Sequence, residues 1–463
     1  MHVFNPDVKF DSQLISKYDK PTPRYTSYPP ATELSTDFNH TEFHNAIALG
    51  NQNQTPLSLY FHVPFCESAC YFCGCNVIIT QKKELVVEPY LDYLYRNIEQ
   101  VASLIDRDRK VVQLHWGGGT PNYLMPHQAE TLWTEINRHF TFDENAEISL
   151  EINPRYVDRN YIFHLRNLGF NRISFGIQDF HPQVQEAVNR VQPEKMLFQV
   201  MEWIREAGFE SVNVDLIYGL PFQNLQTFTD TVEKTLQLSP DRIAVFNFAY
   251  LPALKPVQKN ISPDALPGAA EKLDILQMTI EKLTGNGYQF IGMDHFAKDN
   301  DELAIAQREQ TLHRNFQGYT TKAGSSDLFG FGLTSISMLD SLYVQNHKGL
   351  KDYYRAIDQG NLPIAKGVVV SAEDRIRREV IMELMCHFTL DKTAIAQKYN
   401  LDFDKYFDRE KYELELLEAD GLVRLYPDEI EVTPTGRLLI RNIASIFDGR
   451  TRDKIIKKLS KSI

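Results

Sequence analysis

The chain has 463 residues, enough for about three domains or for one barrel with additions. It is 43% hydrophobic and 24% charged, and 49 Lys and Arg against 61 Asp and Glu give a net charge of −12. That composition is ordinary for a globular protein, and the charge is opposite to the balance that draws a chain to phosphate backbones, so no nucleic-acid partner is expected. No run approaches the ~18 apolar residues that span a bilayer. Residues 1–20 carry Asp7, Asp11 and Asp19 and no signal-peptide core, so a cytoplasmic protein with no membrane partner is expected. Five cysteines are too few and too unevenly placed for a disulfide scaffold. No assembly helix stands out, and a monomer is expected.

Residues 1–54 show no regular alternation. They contain Pro23-Arg24-Tyr25-Thr26-Ser27-Tyr28-Pro29-Pro30, which proline holds in an extended path. This segment reads as an arm or lid. From 55 to 300 the pattern repeats. Short β-branched and aromatic runs fall at 57–63, 111–116, 147–153, 172–177, 211–217, 242–247 and 288–292. Amphipathic stretches of helix length separate most of them, at 91–104, 128–139, 157–168, 194–207, 228–238 and 269–283. Repeated strand and helix predict βα units on a parallel sheet, best fitted by a partial (β/α)6-type barrel of the α/β class. Such barrels gather their chemistry at the carboxyl ends of the strands.

Residues 301–369 follow no simple period and read as an extension or connector. From 370 to 463 the chain turns helical, at 373–387, 391–397 and 411–419, then a hairpin about Pro427-Asp428 and a last helix at 435–447. This is a winged-helix-like layout. Seventeen basic and 18 acidic residues from Ser371 onward argue against DNA binding and for a structural appendage or substrate cover.

Four of the five cysteines, Cys66, Cys70, Cys73 and Cys75, lie within ten residues, directly after the first strand. Thiolates suit zinc or iron–sulfur clusters. Structural zinc sites draw on two separated ligand pairs, and no second pair exists here. An iron–sulfur cluster is favoured. Four cysteines would complete an electron carrier, whereas three would leave one iron open to a substrate or cofactor.

Further polar residues recur at later strand ends. The second strand ends His115-Trp116-Gly117-Gly118-Gly119-Thr120-Pro121, whose glycines free the backbone for close approach. The third carries Glu151, which is costly to bury unpaired, with exposure on an edge strand as the alternative. Gln178 closes the fourth, Arg190 follows it, and Asp215 sits in the fifth. Together they look like ligands around a barrel mouth.

The C-x3-C-x2-C spacing, with Phe72 before the third cysteine, resembles the signature of the radical S-adenosylmethionine (radical SAM) superfamily. The resemblance implies that Cys66, Cys70 and Cys73 hold a [4Fe–4S] cluster whose fourth iron chelates SAM. One electron from the cluster would then release a 5′-deoxyadenosyl radical. The arm, Cys75 in Cys73-Gly74-Cys75-Asn76, the segment 114–121, and further motifs at 215–221, 291–296, 313–321 and 436–442 narrow the likeness. They resemble the oxygen-independent coproporphyrinogen III oxidase family, from the arm nearly to the C-terminus.

That likeness implies oxidative decarboxylation of two propionates of coproporphyrinogen III to vinyl groups, giving protoporphyrinogen IX. An electron donor and an acceptor would come from outside the chain. It implies catalytic roles for Tyr60 and Cys75, the latter not a cluster ligand. Tyr60, Phe72, Gly118, Glu151 and Ile336 would touch the cluster-bound SAM, and Gly119, Thr120, Gln178, Arg190, Asp215 and Ala249 a second SAM. The alternative within the family is a haem-trafficking relative, which lacks the arm and Cys75. A substrate with four propionates calls for cationic donors, and Arg24 and Arg314 are the candidates, unless each only pins its own segment. Cys386 reads as a buried core thiol. Arg24→Ala is expected to raise the substrate KM without altering cluster content, as measured by steady-state CO2 release and iron analysis.

Overall fold

The computed structural model describes residues 8–18, 20–322 and 324–451. The ends of the expected arm and C-terminal domain, 1–7 and 452–463, lie outside the described residues, as does Asp19. The chain forms two compact units. One joins residues 34–272 to 325–369; the other joins 1–33, 273–324 and 370–463.

The first unit is built on a parallel sheet. Its strands are β1 (Leu57–Val63), β2 (Lys110–Gly118), β3 (Thr141–Ile152), β4 (Arg172–Gln178), β5 (Ser211–Tyr218) and β6 (Arg242–Asn247). Each pairs in parallel with the next. Segment 325–369 supplies β7 (Asp327–Phe331), β8 (Ile336–Leu339), β9 (Leu342–Asn346) and β10 (Ile364–Val369). Strand β7 joins the free side of β1 in parallel, and β8, β9 and β10 follow antiparallel. The result is an open, partial (β/α)6-type barrel with a mixed extension. The extension escaped the sequence period because its strands are short and one is interrupted by Gly330. A Cβ there would stand 2.6 Å from the main-chain oxygen of Ile336, so the two strands meet with no room for a side chain.

The connecting helices are α1 (Lys83–Ala102), α2 (Pro126–His139), α3 (Arg159–Leu168), α4 (Glu194–Glu206) and α5 (Leu225–Leu238). Their starts follow from local chemistry. Asp158 accepts the Tyr161 N–H ahead of α3, and Asn224 and Thr227 form a reciprocal capping box ahead of α5. Gly169 ends α3 in the left-handed region, at φ 114°.

The two faces of the sheet differ in kind. Side chains alternate along a strand. Leu57, Leu59, Phe61, Val63, Leu114, Trp116, Leu150, Ile173, Phe175, Val212, Val214 and Leu216 share the apolar face and are buried. The opposite face carries Ser58, Tyr60 and His62 on β1, Gln113 and His115 on β2, Glu147, Ser149 and Glu151 on β3, and Arg172 and Ser174 on β4. Asn213 and Asp215 continue it on β5. At the amino ends these polar groups satisfy one another. Ser58 donates to Gln113 (2.9 Å), Gln113 to Glu147 (3.1 Å), and Arg172 pairs with Glu147 (3.3 Å).

The second unit holds Tyr288–Gly292, expected as a barrel strand, paired antiparallel with His295–Lys298. It also holds the hairpin His313–Asn315 and Gly318–Thr320. Its C-terminal part is mainly helical. Helix Ala372–His387 is capped by a box of Ser371 and Asp374. Thr389–Asp391, Glu429–Val432 and Val423–Leu425 form a small sheet in that order. The helix expected at 435–447 is instead a 3-10 turn, Gly436–Leu439, followed by Ile440–Ser445. Leu439, at φ −104° and ψ 19°, breaks the continuity. The arm is anchored within this unit. Tyr25 and Tyr28 are buried; Tyr25 donates to Asp448 (3.0 Å), and Tyr28 accepts the Gly449 N–H (3.0 Å).

In the first unit Arg109, its side chain 0% exposed, pairs with Asp327 (2.5 Å) and donates to Asn51 and the Thr55 carbonyl. Removing one charge strands the other in the interior. Arg109→Met is expected to destabilise the protein by about 3–5 kcal/mol in urea titrations, and Arg109→Met with Asp327→Leu to recover most of that loss.

Candidate active site

The cysteine loop leaves the carboxyl end of β1, where Val63 stands opposite Gly118 of β2 and the Gly119 N–H donates to the Val63 carbonyl (2.8 Å). Four contacts staple the loop. Phe65–Cys66 pairs in parallel with Ile78–Ile79, and the Tyr71 N–H donates to Val188 (2.9 Å). Asn189 donates to the Ala69 carbonyl (2.7 Å), and Lys255 donates to that of Gly74. Phe72 and Tyr71 pack on the apolar cluster of Val184, Val188, Leu220, Phe248 and Ile261.

Each sulfur has its own surroundings. Cys66 Sγ lies 3.2 Å from the Thr120 hydroxyl, and burial pushes its thiol up to about 11. Cys70 Sγ faces two guanidinium groups, Arg190 at 3.7 Å and Arg155 at 3.9 Å. Cys73 accepts from Cys75, through the Cys75 N–H at 3.4 Å and through its thiol. That sharing favours thiolate at Cys73 and keeps Cys75 protonated. Three free, partly buried thiols ringed by N–H and O–H donors form a donor set that fits a thiolate-ligated cluster, since such donors stabilise anionic sulfur.

The polar face of the sheet continues from the loop. The rings of Tyr60 and His115 stack at 6.0 Å, and Tyr60 shares a hydrogen bond with His62 (3.0 Å). His115 bonds Ser149 through Nδ1 (2.8 Å) and reaches Glu151 through Nε2 (3.5 Å). Asn213 donates to Ser174 (2.9 Å) and to Asp215 (2.8 Å). Burial pushes the Asp215 carboxyl up to about 7, with Glu151 adding to the shift and Arg190 opposing it. Burial likewise raises the Tyr60 phenol well above its usual value and lowers His62.

Most of the expected site residues converge. Tyr60, Cys66, Cys70, Cys73, Cys75, Gly118, Gly119, Thr120, Glu151, Arg190 and Asp215 meet or act on one another at the carboxyl ends of β1 to β5. Glu151 satisfies neither sequence alternative. Its strand is internal to the sheet, yet its side chain is 48% exposed on the polar face, one residue before the strand's last. Gln178 stands at φ 67° beside Gly176 and Arg190, with its Oε1 buried and unpartnered. The glycine run is demanded by the protein's own packing. Gly118 has φ 117°, where a Cβ would stand 2.7 Å from the His62 ring, and a Cβ on Gly119 would stand 2.8 Å from the Phe65 carbonyl.

The remaining expected residues have surroundings of their own. Ala249 is exposed, its carbonyl accepting from Gln258 (3.1 Å), and Ile336 lies in β8 opposite Gln345. Arg24 and Arg314 belong to the second unit, where Arg24 forms an ion pair with Asp294. Sequence reasoning gave no role to His62, His115, Arg155 or Lys255. The first two were visible as polar positions alternating within apolar strands; Arg155 and Lys255 sit in loops whose approach to the cysteines only the fold creates.

The comparisons with known proteins match this picture. Residues 60–235 match the family model described as the radical SAM superfamily, and 370–439 match the HemN C-terminal domain. A protein of Synechocystis named oxygen-independent coproporphyrinogen III oxidase is 62% identical, over 97% of each chain. One of Salmonella typhimurium with the same name is 48% identical, over 96% of this chain and 97% of its own. The solved coproporphyrinogen III oxidase of Escherichia coli, titled a radical SAM enzyme, superimposes with a TM-score of 0.91 at 47% identity, covering 96% of this chain and 99% of its own.

The raised Asp215 carboxyl has a consequence for the ligand-free protein. A group that holds its proton more tightly when folded withdraws stability as pH rises from its unfolded to its folded value. Between about pH 4 and pH 7 the native state is therefore expected to lose stability through Asp215. Asp215→Asn should flatten that part of the profile, as read from urea midpoints of both proteins across the window.

Proposed function

Because the chain belongs to the oxygen-independent coproporphyrinogen III oxidase family, we infer that it oxidatively decarboxylates two propionate side chains of coproporphyrinogen III. The products are protoporphyrinogen IX and two CO2, in anaerobic haem biosynthesis. The observation that carries this reading is the three-thiol loop at the end of β1, set beside the glycine end of β2, with Arg190 at Cys70 and Glu151 acting on Cys75.

Cys66, Cys70 and Cys73 would hold a [4Fe–4S] cluster, which leaves one iron for SAM. When bound, the cluster and SAM supply reductive C–S cleavage and hydrogen abstraction from a propionate β-carbon. The propionate then loses CO2, and one electron passes to an acceptor outside the chain as the vinyl double bond closes. The electron donor is likewise external.

The chain's own residues position and shield. Arg190 and Arg155 donate to Cys70 sulfur, and Thr120 stands by Cys66, so the loop is arranged for anionic ligands. Tyr60, Phe72, Gly118, Glu151 and Ile336 are proposed around the cluster-bound SAM. The exposed Glu151 carboxylate suits hydroxyl or cationic groups. Gly119, Thr120, Gln178, Arg190, Asp215 and Ala249 are proposed around a second SAM, for which the buried Gln178 Oε1 offers an open acceptor. Tyr60, whose phenol burial keeps protonated, and Cys75, whose N–H meets Cys73 sulfur, are proposed as catalytic residues. Arg24 and Arg314 are proposed substrate residues.

The haem-trafficking alternative is not favoured, since Cys75 and the arm are both present. Segments 1–54, 55–300, 301–369 and 370–463 are proposed as arm, barrel, extension and C-terminal cover. Among the described residues no helix is long and apolar enough to cross a membrane. A cytoplasmic monomer without nucleic-acid partners completes the proposal.

The test is anaerobic reconstitution with iron and sulfide, followed by dithionite, SAM and coproporphyrinogen III. 5′-Deoxyadenosine and CO2 are expected together. Alanine at Cys66, Cys70 or Cys73 is expected to abolish the visible cluster absorbance. Cys75→Ala is expected to keep that absorbance while CO2 release falls below detection. Loss of the absorbance in Cys75→Ala would make Cys75 a ligand and the protein an electron carrier.

A further inference from the structure

The second unit contains a buried guanidinium two of whose nitrogens have no hydrogen-bond partner among the described residues. Arg314 lies on the strand His313–Asn315, in register with Tyr319 of Gly318–Thr320. Its side chain rests over the Tyr319 ring, 4.5 Å from the centroid. That ring is fixed by its hydroxyl, which donates to the Met385 carbonyl (3.0 Å), and by edge contact with His295 at 5.3 Å. Arg314 is 5% exposed, and its Nε and Nη1 are buried without a hydrogen-bond partner. Among the described residues it forms no ion pair. Arginine is almost never buried unless paired, because a desolvated charge is costly when nothing offsets it.

The surroundings deepen the deficit. The nearby carboxylate of Asp294 forms an ion pair with Arg24. Arg441, which donates to the carbonyls of Thr22 and Pro23, feels Arg24 and Arg314 as opposing charges and Asp294 as a supporting one. Next to Arg314 on its strand Asn315 Nδ2, and on the following turn Gln317 Nε2, are also buried and unpartnered. The Asn315 amide is oriented by the Gln317 N–H, which donates to its Oδ1 (2.8 Å). From Arg314 to Gln317 every unpartnered buried atom is an N–H donor. Such a place favours an anion.

We propose that Arg314 receives a propionate carboxylate of the tetrapyrrole, with the Tyr319 ring as its apolar wall. This rests on the substrate proposed above, which carries four such groups. Arg314 is thereby a specificity-determining residue, and it is distinguished from Arg24, whose charge already meets Asp294.

The test uses the full chain with Arg314→Met and Arg314→Lys. Coproporphyrin III serves as the binding probe, followed by fluorescence quenching. CO2 release and substrate-free 5′-deoxyadenosine are measured in parallel. Arg314→Met is expected to weaken porphyrin binding about tenfold to a hundredfold and to raise KM by a similar factor. Arg314→Lys should recover part of that loss, and substrate-free SAM cleavage should stay at the level of the unaltered protein in both. Unchanged porphyrin affinity in both variants would overturn the proposal. So would a fall in substrate-free SAM cleavage that tracks the affinity loss, since the role would then be structural. Porphyrin binding without CO2 release by the unaltered protein would overturn the proposed reaction and leave the subsite standing.

Discussion

The architecture turns on the asymmetry of one sheet. A parallel sheet with helical connections normally buries apolar side chains on both faces. Here one face does so, and the other is lined with hydroxyl, amide, imidazole and carboxylate groups. A polar lining of that kind is stable only where each group finds a partner. At the amino ends Ser58, Gln113, Glu147 and Arg172 supply those partners to one another. Toward the carboxyl ends the network opens. Glu151 is half exposed, Gln178 keeps an unpartnered oxygen, and Asp215 holds its proton to near neutrality. Closed at one end and open at the other, the lining gives the sheet a direction, and the cysteine loop stands at the open end.

The loop itself shows how little of a site needs to be special. Its sulfurs are poised by ordinary contacts: a threonine hydroxyl, two arginines and one neighbouring thiol. Holding those contacts in place falls to residues with no chemistry of their own. Phe72 and Tyr71 anchor the loop on an apolar cluster, and the glycines after β2 let two backbones come together where side chains would collide.

Much of this was legible in the sequence. The six barrel strands stand where β-branched and aromatic runs placed them, because buried strands and amphipathic helices differ in period. The cysteine spacing and the polar residues at strand ends marked the mouth. The rest was hidden for physical reasons. The extension at 325–369 has short strands with Gly330 at a crowded crossing, so no period could accumulate. The helix expected at 435–447 breaks at Leu439, where apolar pattern alone gives no warning. Arg155 and Lys255 reach the cysteine loop from distant loops, and the Arg314 guanidinium is isolated only once the fold has buried it. The alternation Ser58, Tyr60, His62 carries the two-faced character of the sheet, but strand propensity alone does not say which side each residue presents.

The anchoring of the arm reaches back to the chain's synthesis. Tyr25 is held by Asp448, 423 residues later, and Tyr28 by Gly449. At roughly 5–20 residues per second, about 20 to 80 seconds separate the making of the first partner from that of the second. Through that interval two large aromatic side chains lack these partners. Two side chains that are buried in the folded unit thus stay without their hydrogen-bond partners until Asp448 and Gly449 have been made.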